Sequence, residues 1–120
     1  MVRSIFALAA VLSLASVSLA GDLVTPPTFV GLSTSVSCHL ANITSAPILA
    51  QVELDSTAGV LKTIGPVTLA PGLTVEFFVD NPNKTVWCRF VKASKSKVRA
   101  SISTFVSTDD GSDHVVVPAQ

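Results

Sequence analysis

Val36-Ser37-Cys38-His39-Leu40 and Val86-Trp87-Cys88-Arg89-Phe90 are the two stretches of the sequence that decide the fold. In each stretch, the residues to be buried alternate with outward-facing ones, and the cysteine belongs to the apolar set. A period of two is typical of a β-strand with one buried face. Two cysteines on buried faces point into an interior, which predicts two stacked sheets joined by a disulfide.

The pairing of the cysteines follows from their number and spacing. Cys38 and Cys88 are the only cysteines, so one intramolecular bond is possible. A redox pair would normally stand as C-x-x-C, and no histidine lies at metal-ligand spacing. We therefore predict a structural disulfide rather than a reactive thiol or a metal site. In the chain-entropy model, closing the loop between Cys38 and Cys88 stabilises a domain by about 4 kcal/mol.

Other parts of the chain show the same alternation or turn chemistry between strands. Strands are predicted within 48–54, 73–79 and 98–102, with shorter ones at 65–69 and 115–117. Gly, Pro, Asn, Asp and Ser cluster between them, and no stretch has a helical period. About seven short strands predict an all-β fold, an antiparallel two-sheet β-sandwich.

The first twenty residues have the features of a secretory signal peptide. Arg3 precedes an apolar segment, and small residues come before Gly21, where we expect cleavage. The protein is therefore expected to be secreted or periplasmic, and no later segment is long and apolar enough to span a membrane. Residues 21–33 contain a Pro pair and are expected to form an edge strand or a tether. Residues 34–120 are expected to form the sandwich domain.

The order of these features resembles small uncharacterised secreted bacterial proteins. The resemblance rests on Asn42 to Pro47, on Gly65 to Gly72 and on Cys88-Arg89-Phe90. Its middle section is similar to immunoglobulin- or fibronectin-III-like adhesion modules, in which an L-x-P-G turn precedes a strand. The resemblance implies such a sandwich and transfers no functional residue. The chain has no Tyr, and Trp87 is beside the second cysteine, so it departs from an antibody-type domain.

Charge is the most unevenly distributed property of the chain. Outside the leader, seven basic residues stand against eight acidic ones, which argues against a nucleic-acid-binding protein. Six of the seven lie between positions 84 and 99, with no acid among them. These basic residues could bind a polyanion, and the Trp87 ring could stack on a sugar or contact a protein partner. Alternatively, the charges only keep a loop soluble and prevent an edge strand from pairing. The candidate binding residues are Trp87, Arg89, Lys92, Lys95, Lys97 and Arg99.

Other chemistry is represented by isolated residues. A Ser-His-Asp site could involve His39 or His114, but no G-x-S-x-G motif is present. Residues 109–113 are acidic enough to suggest Ca²⁺, although they lack EF-hand spacing. We expect no metal, no cofactor and no enzymatic activity. Asn42 and Asn83 each begin an N-x-T sequon in a predicted loop. In a eukaryotic secretory pathway, such sequons are acceptors for N-linked glycans.

The sequence thus predicts a secreted, non-enzymatic β-sandwich that acts by surface binding or adhesion. Its partner would be an acidic polysaccharide or a protein of the cell envelope. Two alternatives stay open: an interaction protein that pairs through an exposed edge strand, and a small hydrolase.

Overall fold

A computed structural model describes the backbone of residues 21–108 and 111–120 and the side chains of residues 21–106 and 115–120. The predicted signal peptide lies outside these residues. The described residues form nine strands: β1 (Asp22–Val24), β2 (Thr28–Val30), β3 (Thr34–Asn42), β4 (Ile48–Ser56), β5 (Gly59–Leu69), β6 (Thr74–Asp80), β7 (Lys84–Val91), β8 (Val98–Thr108) and β9 (Gly111–Pro118). Within the described ranges, no helix has the length and apolar character needed to cross a membrane.

The strands form two antiparallel sheets. Sheet A has the order β1-β7-β4-β5, and β2 also pairs with β7. Sheet B has the order β6-β3-β8-β9. The sheets pack face to face, with β4 against β3 and β7 against β8. This arrangement confirms the predicted two-sheet sandwich, with nine strands where the sequence indicates about seven.

A disulfide links the middle of one sheet to the middle of the other. Cys38 in β3 and Cys88 in β7 are bonded, with an Sγ–Sγ distance of 2.04 Å, and both are fully buried. The predicted disulfide is therefore confirmed. The inward residues of the alternating stretches surround it, and each large apolar side chain buried this way contributes about 1.5–3 kcal/mol. They include Val36, Leu40, Val52, Leu54, Val86, Phe90 and Ile102.

The edge strand β5 is longer than the sequence indicates. It begins at Gly59, whereas the sequence predicts a strand only from Gly65. Nearly all its side chains are exposed, so no buried face imposes a period of two. Its pairing with β4 also shifts register between Ala50 and Val52, opposite Gly65. Gly65 has φ +99°, and a Cβ there would lie 2.4 Å from the Ala50 carbonyl oxygen.

The two ends of the described chain meet at one side of the sandwich. The segment 21–33 contains β1 and β2, which Pro26-Pro27 separates and which both pair with β7. At the other end, Gln120 and Val24 exchange two backbone hydrogen bonds of 3.2 and 3.1 Å. The last residue of the chain is therefore held against the first strand of sheet A.

Asn42 is the last residue of β3, so its prediction as a loop residue is wrong. Its side chain is 1% exposed, and Nδ2 donates to the carbonyl oxygens of Ala46 and Leu69, both at 2.9 Å. Oδ1 accepts from the backbone N–H and the hydroxyl of Thr44. Asn42 therefore ties the β3–β4 connection to the end of β5. Asn83, the other sequon residue, is exposed between β6 and β7.

Candidate functional site

The six candidate binding residues do not form one patch. Trp87 and Arg89 lie on the outer face of sheet A, beside Asp55 and Glu53 of β4. The three lysines lie in the connection 92–97 between β7 and β8. Arg99 is in β8, on the outer face of sheet B. The structure therefore divides the sequence cluster among three surfaces.

Arg89 is surrounded by carboxylates from other strands. Its Nη2 donates to Glu53 Oε1 at 2.7 Å, its Nη1 lies 3.4 Å from Asp22 Oδ2, and its Nε lies 3.4 Å from Asp55 Oδ2. The hydrogen bond to Glu53 raises the pKa of Arg89. With three anionic neighbours, the guanidinium charge is largely balanced within the protein and is less available to a ligand than an unpaired cation.

Glu53 acts on Asp55 as well as on Arg89. Burial raises the pKa of Asp55, and a hydrogen bond to Glu53 and its charge raise it further, against a lowering by Arg89. The side chains of Glu53 and Asp55 are only 11% and 13% exposed. The sequence could not reveal this cluster, because Asp22, Glu53 and Asp55 are far from Arg89 along the chain.

The loop that carries the lysines is held by backbone hydrogen bonds. Lys92 has φ +54° and its N–H donates to Asp22 Oδ1 at 2.9 Å, where the chain leaves sheet A. The N–H groups of Lys97 and Val98 donate to the Ser94 carbonyl oxygen at 2.9 and 3.1 Å. The Lys97 carbonyl accepts from Ile43 at 3.0 Å. Both ends of the loop are therefore anchored to neighbouring elements.

Lys92 and Lys97 border an open groove with a volume of about 580 Å³. Its other walls come from the start of β4, from Pro66 in β5 and from Val91 at the end of β7. Its apolar lining includes Leu49, which has 70% of its surface accessible. None of the lining residues is acidic. We call this feature the lysine groove and define it by Ile48, Leu49, Pro66, Val91, Lys92 and Lys97.

The lysine groove has the size and composition of a ligand site. Ligand pockets are commonly about 300–1,000 Å³, mostly apolar, with a few polar or charged groups. Among the side chains that the structure describes, ion pairs are found at Arg89 and His39 but at no lysine. Lys92 and Lys97 therefore meet solvent as uncompensated cations, whereas Lys95 is exposed in the same loop without lining the groove.

A second depression, of about 460 Å³, lies on the outer face of sheet B. Arg99 lies at this depression together with His39, Ser101, Ser103 and residues of β6 and β9. The sequence correctly places Arg99 and His39 on the outward side of their strands. It does not reveal their proximity, because that depends on the pairing of β3 with β8.

His39 joins a carboxylate to two serine hydroxyls in this depression. Its Nδ1 lies 2.9 Å from Glu76 Oε2, and its Nε2 lies 2.6 Å from Ser37 Oγ and 2.9 Å from Ser103 Oγ. A carboxylate only accepts hydrogen bonds, so Nδ1 carries the proton and, in the neutral ring, Nε2 accepts from the hydroxyls. Ser103, His39 and Glu76 thus follow the hydrogen-bonding order of a Ser-His-acid triad.

The surroundings of this triad lack a second requirement of acyl transfer. Ser37 and Ser103 are 0% and 2% exposed. Their strands β3 and β8 are each paired on both sides, so their backbone N–H groups are engaged in ladders. An oxyanion hole needs free donors directed at the substrate carbonyl. The sheet therefore supplies a base and an orienting acid but no backbone oxyanion hole.

The acidic segment considered for Ca²⁺, 109–113, falls outside the side chains that the structure describes. His114 does as well. Among the described residues, no group of three or more His, Cys, Asp or Glu side chains is placed to hold a metal ion.

Comparisons with known proteins give a likeness of fold. No protein-family model matches the chain, and no curated protein matches it in sequence. The crystal structure of Thermotoga maritima 1070 superposes with a TM-score of 0.56 at 11% identity, covering 84% of this chain and 93% of that one. The hook-capping protein FlgD of Xanthomonas campestris reaches a TM-score of 0.28 at 10% identity, covering 83% and 67%. The first likeness concerns the fold alone, and the second is too low to support an argument.

Proposed function

We propose that the protein is an exported, non-enzymatic β-sandwich module that binds an acidic partner through the lysine groove. The partner would be an acidic polysaccharide or an acidic protein of the cell envelope. The observation that carries the proposal is that Lys92 and Lys97, unpaired with any described carboxylate, border an apolar groove without acidic lining. Such a site attracts anions through charge and holds them through buried apolar contact.

Export to the periplasm or the medium is supported by two features. Residues 1–20 have signal-peptide composition. The buried Cys38–Cys88 bond is of the kind that persists in oxidising compartments and is rare in the cytosol. An immunoglobulin- or fibronectin-III-like relationship is supported by the two antiparallel sheets and by the disulfide between them.

Binding to immobilised polygalacturonate tests the proposed function, with neutral dextran as the reference surface. We expect binding to polygalacturonate that weakens as salt increases, because screening acts on exposed charges. Lys92→Glu and Lys97→Glu should each reduce binding about tenfold, the effect of losing roughly 1.4 kcal/mol. Lys95→Glu is the matched control, since it makes the same charge change in the same loop outside the groove. Equal losses in all three variants would contradict the assignment of the groove.

A small hydrolase is a second candidate function, favoured by the chain Ser103–His39–Glu76. The buried hydroxyls and the paired backbone around them weigh against it. Hydrolysis of p-nitrophenyl acetate by the wild-type protein tests it, with Ser103→Ala and His39→Ala as variants and Ser101→Ala as the control. We expect no rate above the uncatalysed one. A rate abolished by the first two substitutions and kept by the third would establish the hydrolase instead.

A further inference from the structure

The first four residues of β4 have no ladder partner in β7, which ends at Val91 beside Gln51. The ladder between these strands joins 52–56 to 86–90, and it stops at Val52. On its other side β4 continues to pair with β5 as far as Ile48. On the side that faces β7, residues 48–51 therefore all lack a ladder partner. We call them the β4 overhang.

The open side of the β4 overhang lies in the lysine groove. Ile48, Leu49 and Gln51 line this groove together with Val91, the last residue of β7. A strand segment with one neighbour presents unpaired backbone N–H and C=O groups on its open side. Where β7 would continue alongside β4, the chain instead turns away at Lys92, whose φ is +54°. The groove, which also reaches Pro66 of β5, thus includes the space beside β4 into which a longer β7 would extend.

A small cavity under the β4 overhang adds apolar surface on its inner side. It has a volume of about 40 Å³ and is lined by Leu40, Ile48, Ala93 and Val98, among others. Outward and inward side chains alternate along a strand, so a neighbouring strand would direct one set of side chains here and the other to solvent. The end of the core therefore has room for a small apolar group.

We propose that the lysine groove binds an extended acidic peptide segment of a partner protein, which adds to sheet A as a strand along the β4 overhang. This inference rests on the proposed function of the groove and specifies the partner. The peptide would pair with the open backbone groups of 48–51, which span about 13 Å at roughly 3.3 Å per residue. Its acidic side chains would meet Lys92 and Lys97.

The apolar lining favours a peptide over a polysaccharide. Leu49, Pro66 and Val91 offer no hydrogen-bonding side chain, so sugar hydroxyls placed on them would lose their water without replacement. Apolar side chains of a peptide would instead bury alkyl surface there. Main-chain hydrogen bonds then provide affinity, as in other cases of strand addition, while side chains provide selectivity.

The outer edge of β5 is a poorer place for strand addition. Pro66 has no N–H to donate, and Gly65 and Pro66 lie at a register shift of the ladder. The Lys62 ammonium also extends from this strand and donates to the Phe78 carbonyl at 3.3 Å. Proline, bulges and lysine are common means of blocking an edge. In sheet A, the β4 overhang is therefore the more open of these two edges.

Titration with an acetylated hexapeptide of alternating valine and glutamate tests the inference, followed by NMR of the isotope-labelled protein. We expect amide shifts confined to the β4 overhang and the 92–97 loop. The same peptide N-methylated at alternate residues cannot make the backbone bonds and should bind at least about tenfold more weakly. A valine–lysine hexapeptide should not bind. The Lys92→Glu, Lys97→Glu double variant should lose binding, while Lys95→Glu keeps it.

The outcomes separate this inference from the proposed function. If the N-methylated peptide binds as well as its parent, strand addition is wrong and the groove remains an anionic site. If the hexapeptide fails to bind while polygalacturonate binds in a Lys92- and Lys97-dependent manner, the partner is a polysaccharide and the inference is overturned alone. If neither ligand binds, both proposals are wrong.

Discussion

Arg89 and Glu53 lie directly opposite each other on β7 and β4, and the guanidinium Nη2 donates to the carboxylate at 2.7 Å. Directly opposed residues of opposite charge stabilise a strand pair. Here the pair also holds Asp22 and Asp55, so four ionisable groups from β1, β4 and β7 share one surface. Arg89, one of the basic residues of the sequence cluster, therefore connects three strands.

Replacing Arg89 should destabilise the fold. Arg89→Ala leaves the largely buried Glu53 and Asp55 without a cation, and we expect a loss of about 2–3 kcal/mol in the free energy of unfolding, less than for a fully buried pair because Arg89 is 38% exposed. Arg89→Lys should retain only part of the stability that Arg89→Ala loses, since an ammonium cannot contact several carboxylates as a guanidinium fork does. Urea unfolding measures both. An unchanged free energy of unfolding in Arg89→Ala would show that the cluster does not contribute to stability.

Asp55 should make stability depend on pH in an unusual direction. Because its folded pKa is raised above 3.8, the folded state binds the proton more tightly than the unfolded state does. Its contribution is therefore fully present below pH 3.8 and is lost as pH rises through the folded pKa. Asp55→Asn removes this dependence, so the free energy of unfolding of the variant, relative to wild type, should increase from acid to neutral pH. A difference that decreases over this range would contradict the raised pKa.

The disulfide should supply a large part of the stability. Cys38→Ala with Cys88→Ala should lower the free energy of unfolding by about 4 kcal/mol, from the loss of the constraint on the unfolded chain. That is a large fraction of the roughly 5–15 kcal/mol typical of a domain. Guanidinium unfolding of the variant and of the oxidised wild type provides the measurement. Equal midpoints would be inconsistent with this role.

Substitution of the buried Asn42 should lower stability more than the same substitution of the exposed Asn83. Asn42→Asp removes both N–H donors and places an anion against the carbonyls of Ala46 and Leu69, so we expect a loss of about 3 kcal/mol. Asn83→Asp is the matched control, because Asn83 is exposed, and it should change stability little. Thermal unfolding followed by circular dichroism compares them. Similar melting temperatures for the two variants would exclude the buried role.

Gly65 should be required for the stability of the irregular pairing between β4 and β5. In Gly65→Ala the new Cβ would lie 2.4 Å from the Ala50 oxygen, next to the β4 overhang. We expect a loss of about 3 kcal/mol, against about 1 kcal/mol for Gly59→Ala, where φ is also positive but no atom lies within 4 Å. Urea unfolding provides the comparison. Equal costs would mean that the close approach is relieved without strain.

Sequence reasoning predicted the sandwich because buried strands have a periodic pattern. The faces of β3 and β7 follow from Val36, Cys38 and Leu40 and their counterparts, and the core places them as expected. The turn at Pro71-Gly72 was also predictable: Gly72 has φ +78°, and the Leu73 N–H donates to Ala70 at 3.1 Å. The first half of β5 could not be predicted, because exposed residues of an edge strand show no alternation of apolar and polar residues.

The candidate site was less predictable, since it depends on which strands are neighbours. Charge clustering selected Lys92 and Lys97 as candidates, but it could not show that Arg89 lies among acids from β1 and β4. Glu76, the carboxylate partner of His39, was not singled out either. Its outward position follows from the alternation in β6, but its contact with His39 requires the register of β6 against β3.

The disulfide also sets how the chain would respond to mechanical load. A pull on the two ends of the folded domain reaches Cys38 and Cys88 and passes directly between them through the sulfur bridge. Residues 39–87 would be shielded from tension and could not be drawn out. Within the described part of the chain, only the segments before Cys38 and after Cys88 would lengthen, at up to about 3.5 Å per residue, until a reductant opens the bridge. The extensible part of the molecule is therefore set by the oxidation state of two atoms.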